Sequence, residues 1–316
     1  VGKTVTNAAK EMKALEAALK DIKLKIQATK RMNKVTRAME AVSAVKMRKT
    51  QNAALAGRAY ARAALAILTR LSGTENVKRH PLATTRSGNK LGLLVLTSDK
   101  GLAGGLNSGV LKKAVEAIGE RATSDVVIYA YGRKAQEFFQ NRGYEVRKSY
   151  INKGDDVDLA AMEEIAQEVS DAFLTGDFDQ VVAVYSDFRS TFEQVATAHA
   201  LLPLSIEALA QIVEGIRPAK GKWSDDANLS APPAYEVEPS GDEILGVLVP
   251  RLVAVSLYHM LLESKASEHS ARMVAMKNAS DKSKEVVHDL TRKFNKVRQA
   301  AITREVSEIV AGSLVT

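Results

Sequence analysis

Few residue groupings in this chain have types and spacing that could carry chemistry. Gly2-Lys3-Thr4 has the last three residues of a phosphate-binding loop, in which backbone N–H groups and a lysine hold phosphate oxygens. The earlier glycine and the preceding strand of that motif are missing, so the match reads as chance. Gly101-Leu102-Ala103-Gly104-Gly105 lies between a strand-like and a helix-like segment, which is where a dinucleotide fingerprint is placed. Its spacing is not GxGxxG, and no acidic residue follows where a ribose would be held. It reads as a tight turn in which Gly101, Gly104 and Gly105 supply backbone freedom and close packing, with Asn107 or Ser108 capping the next helix. The histidines, His80, His199, His259, His269 and His288, form no HxxxH or HExxH pair, so no metal is expected. There is no GxSxG nucleophile turn. Glu163-Glu164 fall in an amphipathic stretch and read as solvated. Cysteine is absent, which excludes disulfides, Cys-built zinc sites and thiol chemistry. No catalytic, cofactor-binding or metal site is expected.

The elements around these residues explain more. All seven prolines lie between Pro81 and Pro250. Lys3–Ala56 is a run of 54 residues with neither Gly nor Pro, and Arg251–Ala311 a second of 61. Both far exceed the usual helix of roughly 11–12 residues. A helix that long needs a partner along its length. Met12, Leu15, Leu19, Ile22 and Ile26 step by three and four, and Met32, Val35, Met39 and Val42 repeat the pattern after a one-residue phase slip. Val287, Leu290, Phe294, Val297 and Ala301 do the same near the other end. This is coiled-coil seam spacing.

Between the long runs the period changes. Leu91–Leu96, Asp125–Tyr131 and Gln180–Tyr185 read as buried strands, and Thr191–Leu202 as an edge strand. Helical stretches fit at Ser108–Arg121, Lys134–Asn141 and Leu159–Leu174. Alternating strand and helix implies a mainly parallel sheet with helices on its faces. A Pro/Gly-rich loop follows at 206–240, and Pro250 is expected to kink the next helix if that helix starts early. The expected fold is α/β: an antiparallel coiled coil of long N- and C-terminal helices with an inserted Rossmann-like α/β domain. The expected divisions are 1–75, 76–240 and 241–316.

Charge is partitioned along the chain. Residues 1–72 hold 16 basic and 4 acidic side chains, residues 73–239 hold 18 and 24, and residues 240–316 hold 11 and 9. A basic helical arm on a mildly acidic domain suggests an acidic partner for the arm. Aromatics make up only 5% of the chain, which disfavours a base-stacking platform, so no nucleic-acid partner is expected. No apolar stretch of about 18 residues or more exists to span a bilayer, and no apolar signal core opens the chain.

Four segments resemble one family. KVTRAMEAVSAVKMRKTQ (Lys34–Gln51), TSDKGLAGGLN (Thr97–Asn107), SEHSARMVAMKNAS (Ser267–Ser280) and FNKVRQAAITREVSEIVAG (Phe294–Gly312) are similar, in order and spacing, to the γ subunits of F-type ATP synthases. The resemblance implies a central rotor shaft without catalytic sites of its own. Its terminal helices would turn inside a hexamer of α and β subunits, and its middle domain would sit beside the ε subunit and the membrane ring of c subunits. Ion flow through that ring, proton or sodium, would drive the shaft. No cofactor is implied. Carried over position by position, Arg298, Gln299 and Thr303 match polar positions that meet a β-subunit loop. Met39 and Lys46 match positions on the facing N-terminal helix. Arg304 stands where many members have Gln, which puts that contact in doubt. About a dozen residues, Val1–Met12, precede the usual start of the family's helix. The absence of Cys excludes the thiol regulation of plant-type members. The location implied is peripheral, on the inner face of a bacterial plasma membrane or of a mitochondrial inner membrane. The competing reading is a stand-alone nucleotide-binding enzyme with a Rossmann-like core and a helical arm.

Overall fold

The computed structural model describes residues 2–71, 80–151, 157, 159–205 and 241–313. The loop expected at 206–240 lies outside the described residues. In chain order the elements are α1 (Gly2–Leu71), β1 (Leu91–Leu96), α2 (Leu106–Ile118), β2 (Val126–Tyr131), α3 (Arg133–Gln140), β3 (Glu145–Tyr150), α4 (Leu159–Leu174), β4 (Gln180–Ser190), β5 (Glu193–Leu202) and α5 (Gly241–Ser313). The two unbroken runs are single helices of 70 and 73 residues. Gly2-Lys3-Thr4 is thus helix, not a phosphate loop. Helix α5 starts as early as Gly241, so Pro250 sits inside it.

The chain divides into two units, one of Val1–Val42 with Ala275–Thr316, the other of Ser43–Val274. In the second unit five strands form one sheet in the order β3-β2-β1-β4-β5. The first four are parallel, and β5 returns antiparallel to β4. Every residue of β1 and β2 is buried, as helices on both faces require. Alternation along β1 sends Leu91, Leu93 and Val95 to one face and Leu94 and Leu96 to the other. The first set packs on Val110, Ala114 and Ile118 of α2 and on Ala135 and Phe139 of α3. The second set packs on Ile165, Val169 and Phe173 of α4 and on Leu252, Val253, Leu257 and Leu261 of α5.

Three local readings of the sequence differ from the structure. Strand β3 was not foreseen, because Glu145–Tyr150 (EVRKSY) is largely polar; it is an edge strand whose residues alternate between exposed and half-buried. Strand β4 runs on to Ser190, five residues past the expected end, because β5 pairs with that extension. Neither Asn107 nor Ser108 caps α2: Gly105 holds the cap position without a side-chain bond, and Asn107 Oδ1 instead accepts from Ser98 N at 3.0 Å.

One glycine is demanded by close approach. Gly132, at the start of α3, has φ +95°, and a Cβ there would meet Thr97 O at 2.2 Å. The contact cannot relax easily. Thr97 N donates to Tyr131 O at 2.8 Å, and Thr97 Oγ1 accepts from Ala135 N at 2.9 Å. Gly132→Ala is expected to destabilise the chain by about 3 kcal/mol, backbone strain and overlap together. Gly119→Ala, also at positive φ but with open space around it, should cost about 1–2 kcal/mol. Urea unfolding followed by circular dichroism compares the two.

In the other unit, α1 leaves at Val42 and α5 enters at Ala275, so the helices run antiparallel. Asn33 Nδ2 donates to Ser280 O at 2.7 Å and to its Oγ at 3.0 Å, which sets the register. Met12, Leu15, Leu19, Ile22 and Ile26 lie buried or half-buried along α1, and Val287, Leu290, Phe294, Val297 and Ala301 half-buried along α5, as their spacing implies. The expected phase slip does not occur. The same stepping continues through Thr29, Asn33 and Thr36, while Met32, Val35 and Val42 are 59%, 54% and 53% exposed. Ser280 and Ser283 of α5 are buried in this stretch. Small polar residues thus replace large apolar ones in that part of the seam. Most of their hydroxyls bond back within their own helix, as in Thr29 to Lys25 O and Ser283 to Ala279 O.

Candidate functional site

In the second unit, the place to look for a ligand is the crevice beyond the carboxyl ends of β1 and β4, where the strand order reverses. Thr97, Ser98 and Asp99, the first residues after β1, are engaged. Asp99 Oδ1 accepts from Arg133 N at 2.9 Å, and Thr97 Oγ1 accepts from Ala135 N. Both donors belong to the N-terminus of α3, the helix after β2. Ser98 Oγ donates to Lys100 O at 2.6 Å. The crevice itself is crossed by α5. Ser267 Oγ donates to Ser186 O at 3.0 Å and Ser270 Oγ to Thr191 O at 2.8 Å, both past the end of β1 on the β4 side. On the β1 side Arg272 reaches Lys100 O and Gly101 O at 3.4 Å. Helix α5 therefore occupies the ground a nucleotide would take.

Gly101, Gly104 and Gly105 lie in the turn between β1 and α2, and a Cβ on any of them would meet nothing within 4 Å. Gly104 has φ +58°, and Leu102, a branched residue, has φ +64° while 60% exposed. The turn reading of these glycines is compatible with this geometry; close packing is not what they supply. Among the described residues no group of His, Asp and Glu could hold a metal, and no helix is long and apolar enough to cross a membrane.

The coiled-coil candidates do not form one patch. Arg298, Gln299 and Thr303 are exposed on α5, Arg304 is half-buried, and Met39 is half-buried on α1. Lys46, half-buried, belongs to the other unit. Asn33 faces Ser280, Met39 is six residues beyond Asn33, and Arg298 is eighteen beyond Ser280 in the opposite direction. At 1.5 Å per residue Met39 and Arg298 are about 36 Å apart along the coil.

The structure also shows apolar surface that the candidates omit. Leu24, Val35 and Val42 lie within about 20° of one line along α1, since steps of 11 and 7 residues return to nearly the same face. Each is more than half exposed. Exposed Arg31 lies on the same line between Leu24 and Val35, and exposed Lys25, Lys30, Lys34 and Arg37 flank it. Near the end of α5, Ile302, Val306 and Ile309 are 51%, 54% and 66% exposed. Extending the 3–4 stepping from Ile26 without a slip would have placed Val35 and Val42 outside the seam.

A family model described as ATP synthase matches residues 18–314. A relative named ATP synthase gamma chain, from Heliobacterium modesticaldum, is 37% identical over 295 residues, covering 93% of this chain and 98% of the relative. The chain belongs to the ATP synthase γ-chain family. A γ chain from Pelotomaculum thermopropionicum is 36% identical over 299 residues, covering 94% of this chain and 98% of its own. Among solved structures, a chain of the Tetrahymena thermophila mitochondrial ATP synthase central stalk and c-ring is 26% identical, with TM-score 0.58, and is covered to 99% by 78% of this chain. A chain of the Euglena gracilis mitochondrial enzyme has TM-score 0.61 at 16% identity, with 95% of each chain covered, a likeness of fold.

This γ chain is a central-stalk subunit of an F-type ATP synthase and is non-catalytic; the active sites of the complex lie on the β chains. The stand-alone enzyme is not favoured, and the filled crevice gives the physical reason. The resemblance that four motifs carried is confirmed over almost the whole length.

Proposed function

We propose that the coiled-coil unit of this γ chain turns inside a hexamer of α and β subunits, while the α/β unit seats on the ε subunit and the c-ring. The observation that carries this reading is the exposed apolar line Leu24, Val35 and Val42 with its basic flanks. Solvated helices do not ordinarily keep such a line bare, and its mixed character suits a socket with both apolar and acidic walls. The contact residues are Met39, Lys46, Arg298, Gln299, Thr303 and Arg304, joined by the apolar line and by Ile302, Val306 and Ile309 at the tip. Gly101, Gly104 and Gly105 shape the turn of the α/β unit. Functionally the chain divides at 1–75, 76–240 and 241–316. The location is peripheral, on the inner face of a bacterial plasma membrane or a mitochondrial inner membrane.

The mechanism is a coupling between binding surfaces. A shaft changes the state of a β subunit only if its contacts differ in free energy between β conformations. The two helices present different exposed residues: Leu24, Val35 and Val42 among basic side chains on α1, and Arg298, Gln299 and Thr303 beside Ile302, Val306 and Ile309 on α5. A turning shaft therefore offers each β subunit a changing surface. Exposed pairs of the Arg298 kind are worth about 0.2–1 kcal/mol each, so burial of the apolar line supplies the larger share.

Assembly tests the reading. The chain mixed with α and β subunits from the same source should co-elute at one copy per hexamer and change the rate of ATP hydrolysis. Elution as a free chain beside a competent hexamer would sink it.

A further inference from the structure

Along one stretch of the coil, α1 has two faces that could meet α5. Met32, Val35, Met39 and Val42 step by three and four and make the apolar face. The structure uses the other. Thr36, Ser280 and Ser283 are 5%, 2% and 9% exposed, while Met32, Val35 and Val42 are each more than half exposed. Burial alone favours the apolar face, so another interaction must decide between the two.

The hydroxyl groups cannot decide it. Thr29 Oγ1 donates to Lys25 O, Thr36 Oγ1 to Asn33 O and Ser283 Oγ to Ala279 O. Each bond stays within one helix and survives any turn of that helix about its own axis. The ion pairs here, Lys25 with Asp21, Lys282 with Glu285 and Lys284 with Asp281, also stay within one helix. Among the described residues of this stretch, Asn33 carries the bonds that cross. Its Nδ2 donates to Ser280 O at 2.7 Å and to Ser280 Oγ at 3.0 Å. Both are lost if α1 turns.

We propose that Asn33 is the phase selector of the coil. Its two bonds to Ser280 hold α1 in the rotation that turns Thr29, Asn33 and Thr36 inward. The competing rotation, by one residue or about 100°, would bring in Met32, Val35 and Val42 instead. A polar residue in a seam characteristically fixes the pairing in this way, at a cost in buried apolar surface. The result is that Leu24, Val35 and Val42 stay outside. That they meet the hexamer there rests on the function proposed above; the choice of phase does not.

The chain has no cysteine, so introduced pairs report the phase directly. Thr36 is three residues on from Asn33 and Met276 four back from Ser280, and both are buried, so the register sets them opposite each other. Thr36→Cys with Met276→Cys reports the observed phase, and Val35→Cys with Met276→Cys the slipped one. The quantity measured is the ratio of their initial rates of disulfide formation under a mild oxidant, slipped pair over observed pair, in the free full-length chain. Adding Asn33→Ala should raise that ratio about tenfold, as the loss of two ordinary hydrogen bonds implies. Adding Asn33→Leu gives the observed phase an apolar residue and should leave the ratio no higher than with Asn33. An unchanged ratio with Asn33→Ala would overturn the proposal. So would equal rises with Ala and with Leu, which mark a loosened coil and not a selected phase. If Asn33→Ala does not fold, Ser280→Ala decides: it removes the bond to Oγ, and an unchanged ratio counts against the selector. Because the free chain is used, failure here is distinct from failure of the hexamer contact.

Discussion

A γ chain carrying Val35→Asp and Val42→Asp folds as the wild type does and loses at least about tenfold in affinity for the hexamer of α and β subunits. Both side chains are more than half exposed, so the substitutions remove little from the folded chain, only a few tenths of a kcal/mol each in helix propensity. In the assembly the same positions are taken to be covered. Fully burying an exposed valine is worth about 1.5 kcal/mol; these two are already about half covered, so burying the rest is worth about 0.8 kcal/mol each and about 1.5 together. That sum is about a tenfold change in affinity before any cost of burying the new carboxylates. Titration of the labelled chain into the hexamer measures it, with the unfolding midpoint as control. An affinity equal to wild type would show that this line is not a contact. Arg298→Glu is the polar counterpart. One exposed pair is weak, so its effect should appear in coupled synthesis rather than in assembly.

The second large effect is on stability. Glu268 is 6% exposed, and it receives Lys265 Nζ at 3.1 Å and Arg272 Nη2 at 2.7 Å. Glu268→Gln leaves two buried cations with no carboxylate between them and is expected to cost about 3–5 kcal/mol. Arg272→Met should cost less, because Lys265 still neutralises Glu268. Burial pushes the Glu268 carboxyl up, but Lys265 and Arg272 outweigh it and hold it below the usual range. The stabilisation is present above the unfolded value and is lost as pH falls through the lower folded one. Wild type should therefore weaken in acid below about pH 4.5, and Glu268→Gln should not share that part of the decline. Urea unfolding at pH 7 and pH 4 tests both. A loss below 1 kcal/mol at pH 7 would contradict the buried triad.

What could be read from the residues follows from how local each signal is. β1, β2 and α4 were visible because an unbroken apolar run or a clean amphipathic period names a buried strand or a packed helix by itself. β3 was not, since Glu145 and Arg147 are exposed at a sheet edge where no burial is needed, and half-buried Lys148 is kept by an ion pair with Glu168 of α4 rather than by apolar packing. The seam was read correctly wherever it was made of Leu, Ile, Phe and Val. It was misread at Met32, Val35 and Val42, because large apolar residues were assumed to face the partner helix. There Ser280 meets Asn33 and the buried positions are Thr36, Ser280 and Ser283, while the apolar residues stay outside. The absence of a nucleotide fingerprint was legible. The reason for it was not, because the contacts of Ser267, Ser270 and Arg272 with the turns after β1 and β4 join residues some eighty to 170 positions apart.

The share of α5 in closing the sheet has a consequence for biosynthesis. Leu94 and Leu96 are covered in part by Leu252, Val253, Leu257 and Leu261, which the ribosome adds more than 150 residues later. At 5–20 residues per second that delay is roughly 8–30 s. For that time the strands have one apolar face covered at most by Ile165, Val169 and Phe173 of α4, far longer than hydrophobic collapse takes. The nascent γ chain is therefore a natural client for a chaperone until its last helix arrives. A message broken before the codon for Arg251 would leave that face open permanently.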